Sequence, residues 1–283
     1  MSWANAVLQG VFLGGLYALF ACGLSLMFGV MRIINLAHGD LAVLGAFVVW
    51  WIATEAGVSP WLALAAALPV ALGLGYVLQK VVLTRSLRSG ELTPLLTTFG
   101  LAIVIQNALL LVFSPDVRSL GSVTGSLTTG GFSLLGLTVP YLGLLILTVA
   151  IGVLGGLQLM LERTGFGREM RAAAQDPDTA ALVGIPAGAV YARATAIAVA
   201  TATLAGTFLA IHSTIDPASG PTQLIFAFEA VVIGGLGSLR GTLIGGLVLG
   251  MAQTIGAQID PQYSILAGHL VFLAVLLRRT VTT

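Results

Sequence analysis

Few side chains in this sequence could do chemistry, and they fall in three places. The first is Asn35, His38, Gly39 and Asp40, a polar cluster between two apolar runs. The second is Glu229, isolated in an apolar run that ends in Gly234, Gly235 and Gly237. The third is Asp176-Pro177-Asp178, with Ala180, Ala181, Leu182, Gly184, Ile185 and Pro186 behind it. Ionisable groups in apolar surroundings are expensive and are functional candidates by default. Asn35, His38 and Asp40 fit two readings equally: groups along a solute path, or groups that satisfy backbone freed at a helix break. Glu229 either contacts a substrate ammonium in a water-lined cavity or pairs with a neighbouring helix or subunit. No Cys or His stands at ligand spacing from His38, so a metal is not expected there.

Other chemistries are excluded more directly. The single cysteine, Cys22, forbids an internal disulfide. No nucleophile, base and metal ligands cluster as a membrane-embedded enzyme would need. The only lysine, Lys80, lies between Gln79 and Val81, so a Gly-x-x-x-x-Gly-Lys phosphate loop cannot be built. The chain is expected to bind no cofactor itself. Its Lys and Arg are scattered singly, which leaves no face for nucleic acid.

The elements that must position these residues are apolar helices. Twelve Lys or Arg and eleven Asp or Glu serve 283 residues, with 57% hydrophobic content and 8% charged. A soluble surface needs far more charge. Runs of about 20 apolar residues, enough to cross a 30 Å hydrocarbon core, recur along the chain. The expected fold is all-α: a polytopic bundle of about eight or nine spans in a single domain, 1–283. Candidate spans are 5–31, 36–54, 60–79, 94–113, 138–161, 194–213, 224–239, 241–258 and 263–277. The first lacks a basic leader and is read as a permanent span. The segments at 33–54 and 224–239 carry polar or glycine-rich ends and read as broken or re-entrant helices. Such backbone is tolerated at membrane depth only where protein or a water-lined cavity satisfies it. One break in each half suggests two related halves around a central path.

Nine crossings that start outside place eleven of the twelve basic residues on the cytoplasmic side, with Arg118 the exception. The C-terminus is then cytoplasmic. Trp3, Trp50, Trp51 and Trp61 fall at outer span ends, as anchors of an aromatic belt, and His212 and His269 near outer boundaries. Gly10–Gly14, Gly152–Gly156, Gly241–Gly245 and Gly246–Gly250 have the spacing that lets helix backbones approach, within the chain or against a second subunit.

The link at about 162–193 is the sizeable polar feature. Asp176 is placed as an N-cap with Pro177 first in a helix and Asp178 at its positive start. Gly184 and Pro186 stop it. A two-turn helix from Pro177 to Val183, displaying Ala180, Ala181 and Leu182, is marginal alone. It is expected to dock its small apolar face into a groove of another protein.

Ala180-Ala-Leu-Val-Gly-Ile-Pro186 resembles the coupling loop of ABC importer permeases. Phe28-Gly-Val-Met-Arg-Ile-Ile-Asn-Leu-Ala-His-Gly-Asp40, followed by Leu44-Gly-Ala46, is similar to permeases of branched-chain amino acid importers, the LivH-like branch. So are Arg168-Glu-Met-Arg-Ala-Ala-Ala-Gln-Asp176 and Val232-Ile-Gly-Gly-Leu-Gly-Ser-Leu-Arg-Gly241. Asp40 stands where that family's pattern suggests Glu, and Arg240 where Pro is frequent. The resemblance implies a permease subunit of the bacterial inner membrane that carries branched-chain or other small apolar amino acids. It implies partners: a second homologous permease or a second copy, two ABC ATPase subunits holding ATP and Mg, and a periplasmic substrate-binding protein. The same architecture carrying urea or short amides is the near alternative. An ion-coupled secondary transporter is the distant one, since it calls for a relay of intramembrane carboxylates.

Overall fold

The computed structural model describes residues 2–90, 92–134 and 136–282. Apolar helices dominate: α1 Trp3–Met31, α2 His38–Glu55, α3 Pro60–Leu78, α4 Thr93–Phe113, α5 Tyr141–Arg163, α8 Ala187–His212, α9 Gly220–Gly234, α10 Leu239–Ile259 and α11 Tyr263–Thr282. Two short helices, α6 Gly165–Gln175 and α7 Pro177–Leu182, sit between α5 and α8. The chain is an all-α polytopic membrane protein. Among the described residues, six helices are long and apolar enough to cross a membrane: α1, α3 with its extension to Leu87, α4, α5, α8 and α10. Each of the nine expected spans overlaps one long helix, but α8 begins at Ala187 rather than 194 and α9 at Gly220 rather than 224.

α1 and α8 form the centre, buried over most of their length, whereas α3, α4, α5 and α10 bury well under half of theirs. A helix apolar all round must be enclosed, and both central helices are rich in Ala and Gly. Their packing partners mirror each other. α1 packs on α10 and α9, and α8 packs on α3 and α2. The close seams are backbone against backbone: a Cβ on Gly14 would fall 2.5 Å from Leu247 Cα, and one on Gly75 would fall 2.8 Å from Ala196 Cα. Small residues gain dispersion contact along whole helices where lipid offers no hydrophobic drive.

Direction follows from the contacts. Gln79 meets Thr195 while Trp61 meets Phe208, so α3 and α8 are antiparallel. Gly10 meets Met251 while Gly29 meets Gly237, so α1 and α10 are antiparallel too. α1 therefore runs toward the end carrying α6 and α7, the knob end, and α8 runs away from it. Exchanging α1–α4 with α8–α11 inverts the chain direction and preserves the packing of the first three helices of each set, an inverted-repeat arrangement, although α10 packs on α11 where α3 scarcely meets α4.

The far end carries a small antiparallel hairpin, β1 Gly131–Leu134 and β2 Leu137–Pro140, which the sequence reading did not foresee. Gln9 Nε2 donates to the Thr138 carbonyl at 2.8 Å, which pins the hairpin to the start of α1. Also here, Arg118 and Ile215 exchange two backbone hydrogen bonds of 2.8 Å. The Arg118 guanidinium lies 4.8 Å over the Trp50 ring, so Trp50 is a stacking platform as well as an end marker.

Candidate functional site

The two helix breaks meet. After α1 the chain turns at Arg32, in the left-handed region at φ 55°, and re-enters the bundle as non-helical backbone before starting α2 at His38. In the second half the corresponding break is Ser213–Ser219, between α8 and α9. This corrects the expected position at Gly234–Gly235. Those glycines form the tight α9–α10 turn at the knob end, with Gly235 at φ 105° and Gly237 at φ 79°. They are small because backbones cross there: a Cβ on Gly234 would fall 2.6 Å from Thr242 N, and Gly237 lies against Gly29.

The re-entrant backbone is satisfied by protein. The Asn35 side-chain carbonyl accepts from Ala37 N at 3.0 Å, and its backbone carbonyl accepts from His38 N at 3.1 Å. Leu36 N donates to Thr98 Oγ1 at 3.1 Å. His38 Nε2 lies 2.9 Å from the Phe20 carbonyl, an acceptor only, so Nε2 carries the proton and Nδ1 is left bare. Asn35 and His38 thus do the backbone-satisfying work that was one of their two expected roles. Both are fully buried.

Gly39 and Gly220 bring the starts of α2 and α9 together, Leu224 N lying 2.9 Å from the Gly39 Cβ position. Asp40 sits between these two positive helix ends, its Cγ 2.6 Å from the Cβ position of Gly220. Gln106 Nε2 of α4 donates to its Oδ1 at 2.9 Å, and Oδ2 has no hydrogen-bond partner among the described residues. The chain places its own carboxyl group at the junction. Gln106 and Gly220 were not among the expected residues. Glutamine in an apolar run was the available signal for the first, and nothing local marks the second.

Glu229, on α9, faces α11 and binds His269 Nδ1. Of its two expected roles, pairing with a neighbouring helix is the one observed. His269 is on the second turn of α11 as a partner of a buried carboxylate, not merely an interfacial residue, with 43% of its side chain exposed.

At the knob end, Thr164 caps α6 through Gly167 N at 3.0 Å. Asp176 caps α7, accepting from Asp178 N at 3.0 Å, Thr179 N at 3.1 Å and Thr179 Oγ1 at 2.5 Å. The Thr179 bonds, then that from Asp178, hold its carboxyl below the usual carboxylate range. α7 ends at Leu182, and Gly184 takes φ 83° so that Ile185 N can return to the Ala180 carbonyl at 3.0 Å. Ala180 is buried, not displayed as expected. Ile185 is half-buried, while Asp176, Pro177, Asp178, Ala181, Leu182, Gly184 and Pro186 are exposed. Leu182 at 87% and Val183 at 72% exposure form an apolar tip, Val183 being an addition to the expected set. A cleft of about 580 Å3 runs between Asp178, Ala181 and Pro186 and the Thr84–Arg88 segment beyond α3. α6 carries the knob firmly: Glu169 pairs with Arg193 of α8 at 2.7 Å, and Tyr191 donates to the Ala173 carbonyl at 3.3 Å.

Residues 6–277 match the family described as the permease component of the branched-chain amino acid transport system. The chain belongs to that family. It is 32% identical to the high-affinity branched-chain amino acid transport system permease protein BraD of Pseudomonas aeruginosa, over 98% of this chain and 94% of the relative. It is 30% identical to LivH of Salmonella typhimurium, over 95% and 91%. It is 29% identical to the probable permease LivH of Methanocaldococcus jannaschii, over 88% and 80%. No solved structure matches. The expected family is thus established along nearly the whole permease chain, hairpin and knob included.

Proposed function

We propose that this permease forms the translocation path of an ATP-driven importer for branched-chain amino acids, in the bacterial inner membrane with the knob end cytoplasmic. The exposed apolar tip at Leu182–Val183 carries the reading. Two adjacent exposed apolar side chains beside Asp178 on a polar end offer the kind of contact a partner protein's groove would cover. The occupants are two ABC ATPase subunits, whose ATP-driven closure moves the knob; α6 passes that motion to α5 and α8. A periplasmic binding protein delivers solute at the hairpin end. A second permease, homologous or a second copy, completes the path. The near-full-length likeness to permeases named for branched-chain amino acids favours that cargo over urea or short amides.

The path lies beside the α2–α9 junction, along α4 and α11. Support comes from polar groups open on those outward faces: Asn107 is exposed on α4, and His269 on α11 is partly exposed beside its bond to Glu229. Polar side chains turned to hydrocarbon are costly, so these faces contact water or protein. The paths of Asn35, His38 and Gly39 through the junction make them its frame, and Gly234, Gly235 and Gly237 act as its hinge at the knob end.

Reconstitution with the ATPase pair and binding protein tests coupling. Ala181→Arg, exposed on the knob, is expected to abolish leucine uptake while leaving the permease folded and membrane-inserted. Undiminished ATP-dependent uptake by this variant refutes the docking role. Binding-protein melts shifted by urea but not by leucine, isoleucine or valine refute the cargo.

A further inference from the structure

Outside the junction and the knob, a second built feature lies between α5 and α10. At the knob end is a compartment of about 360 Å3 whose polar lining is Ser25, Gln158, Glu162, Arg171, Ser238 and Arg240, set among apolar side chains of α1, α5 and α6. Adjacent to it, sharing Gln158, Leu239 and Arg240 as lining, is an apolar groove of about 440 Å3. Ile151, Leu154, Gly155, Leu159, Leu243 and Ile244 line the groove. It follows α5 from Gln158 back to Ile151, about 10 Å at 1.5 Å per residue. Gly155 leaves room in it: a Cβ there would meet nothing within 4 Å among the described residues.

The polar compartment is suited to an anion. Ser25 is fully buried in α1, and its hydroxyl has no hydrogen-bond partner among the described residues. Ser238 caps the 21-residue α10, accepting from Gly241 N at 3.1 Å, so the positive end of that helix opens here. Arg240 and Arg171 face the same space. Glu162 is the opposing charge: its Oε1 accepts from Arg240 Nη2 at 2.6 Å and from Gln158 Nε2 at 2.6 Å. Arg171 Nη1 donates to the Leu161 carbonyl. Two guanidiniums against one carboxylate leave a net positive compartment, and Arg240 is 71% exposed with donors to spare.

We propose that this feature holds one anionic phospholipid, its phosphate between Arg240, Arg171 and the start of α10 and an acyl chain in the α5–α10 groove. The order of chemistry along the groove decides the occupant. A polar, cationic compartment at the membrane edge leads into an apolar channel toward the membrane centre, as a lipid is built and as basic pockets between helices take headgroups. A partner helix would have to bury the Arg240–Glu162 pair with nothing on α5 to reward it.

The purified full chain, exchanged into nanodiscs of equal parts phosphatidylglycerol and phosphatidylcholine and examined by native mass spectrometry, tests this. Phosphatidylglycerol should be retained in preference, and Arg240→Gln and Arg171→Gln should each cut that preference about five-fold. Gly155→Leu should lower retention of both lipids by filling the groove. All three sites are on the surface, and thermal unfolding verifies that the variants fold. Equal retention of the two lipids by the unmodified chain overturns the proposal. So does displacement of phosphatidylglycerol by excess glycerol phosphate, which would mean an anion pocket without a lipid groove. Loss of self-association in Gly155→Leu with lipid retention unchanged would assign the groove to a second copy, and also overturns it.

Discussion

Gly73 and Gly75 lie two positions apart on α3, yet the same added methyl should act on them with opposite sign. At Gly75 a Cβ would stand 2.7 Å from the Thr195 carbonyl oxygen, 2.8 Å from Ala196 Cα and 3.0 Å from Val199 Cγ2. Two of these are backbone of α8, which is hemmed in by α1, α2 and α3 and has no room to retreat. At Gly73 nothing lies within 4 Å. Glycine inside a helix is worse than alanine by about 0.5–1 kcal/mol, and both substitutions recover that amount. Overpacking a close seam costs about 1–3 kcal/mol and applies only to Gly75. The net is about 0.5–1 kcal/mol stabilising for Gly73→Ala and up to about 2.5 kcal/mol destabilising for Gly75→Ala. At about 2–4 °C per kcal/mol, the midpoints should rise by about 1–4 °C and fall by up to about 10 °C respectively. The chain carries its own reporter, because Cys22 is its only cysteine, fully buried in α1. A thiol-reactive fluorogenic dye therefore reads unfolding of the detergent-purified protein directly. Shifts in the same direction for both variants would refute the argument that the α3–α8 seam is limited by backbone contact.

A double-mutant cycle on Glu229→Ala and His269→Ala, read by the same melts, should give a coupling of about 0.5–2 kcal/mol, as for polar pairs between membrane helices; additivity would mean the pair contributes nothing. The Asp176 cap makes a pH prediction. Its carboxyl titrates lower in the folded knob than in the unfolded chain, so its contribution is fully present above the unfolded value of about 4 and is lost as pH falls through the lower folded value. Hydrogen-exchange protection at the Asp178 and Thr179 amides, normalised to the intrinsic rate at each pH, should stay constant from pH 7 to 5 and fall only below about 4. Protection that declines between pH 7 and 5 would show that another group controls the knob.

By itself the sequence determined the class, the helices and the knob. Apolar runs of membrane length, charges confined to links and the Asp176-Pro177 start are local signals, because hydration cost and helix capping act on neighbours in the chain. The resemblance carried by the motifs around Asp40, Asp176 and Gly241 identified the family for the same reason. What only the tertiary structure decided is contact between distant segments. Nothing near residue 220 announces that Gly220 meets Gly39, so the second break was placed at the glycines of the α9–α10 turn instead. Glycine signals close approach at either site alike, and its partner backbone, not its own neighbours, says which. Ala180 was expected to be on display because exposure depends on how the turn at Gly184 folds back, and a one-residue rotation in so short a helix exchanges inside for outside. Glu229 likewise offered two roles until α11 brought His269 beside it, since a buried carboxylate takes whichever donor the packing delivers.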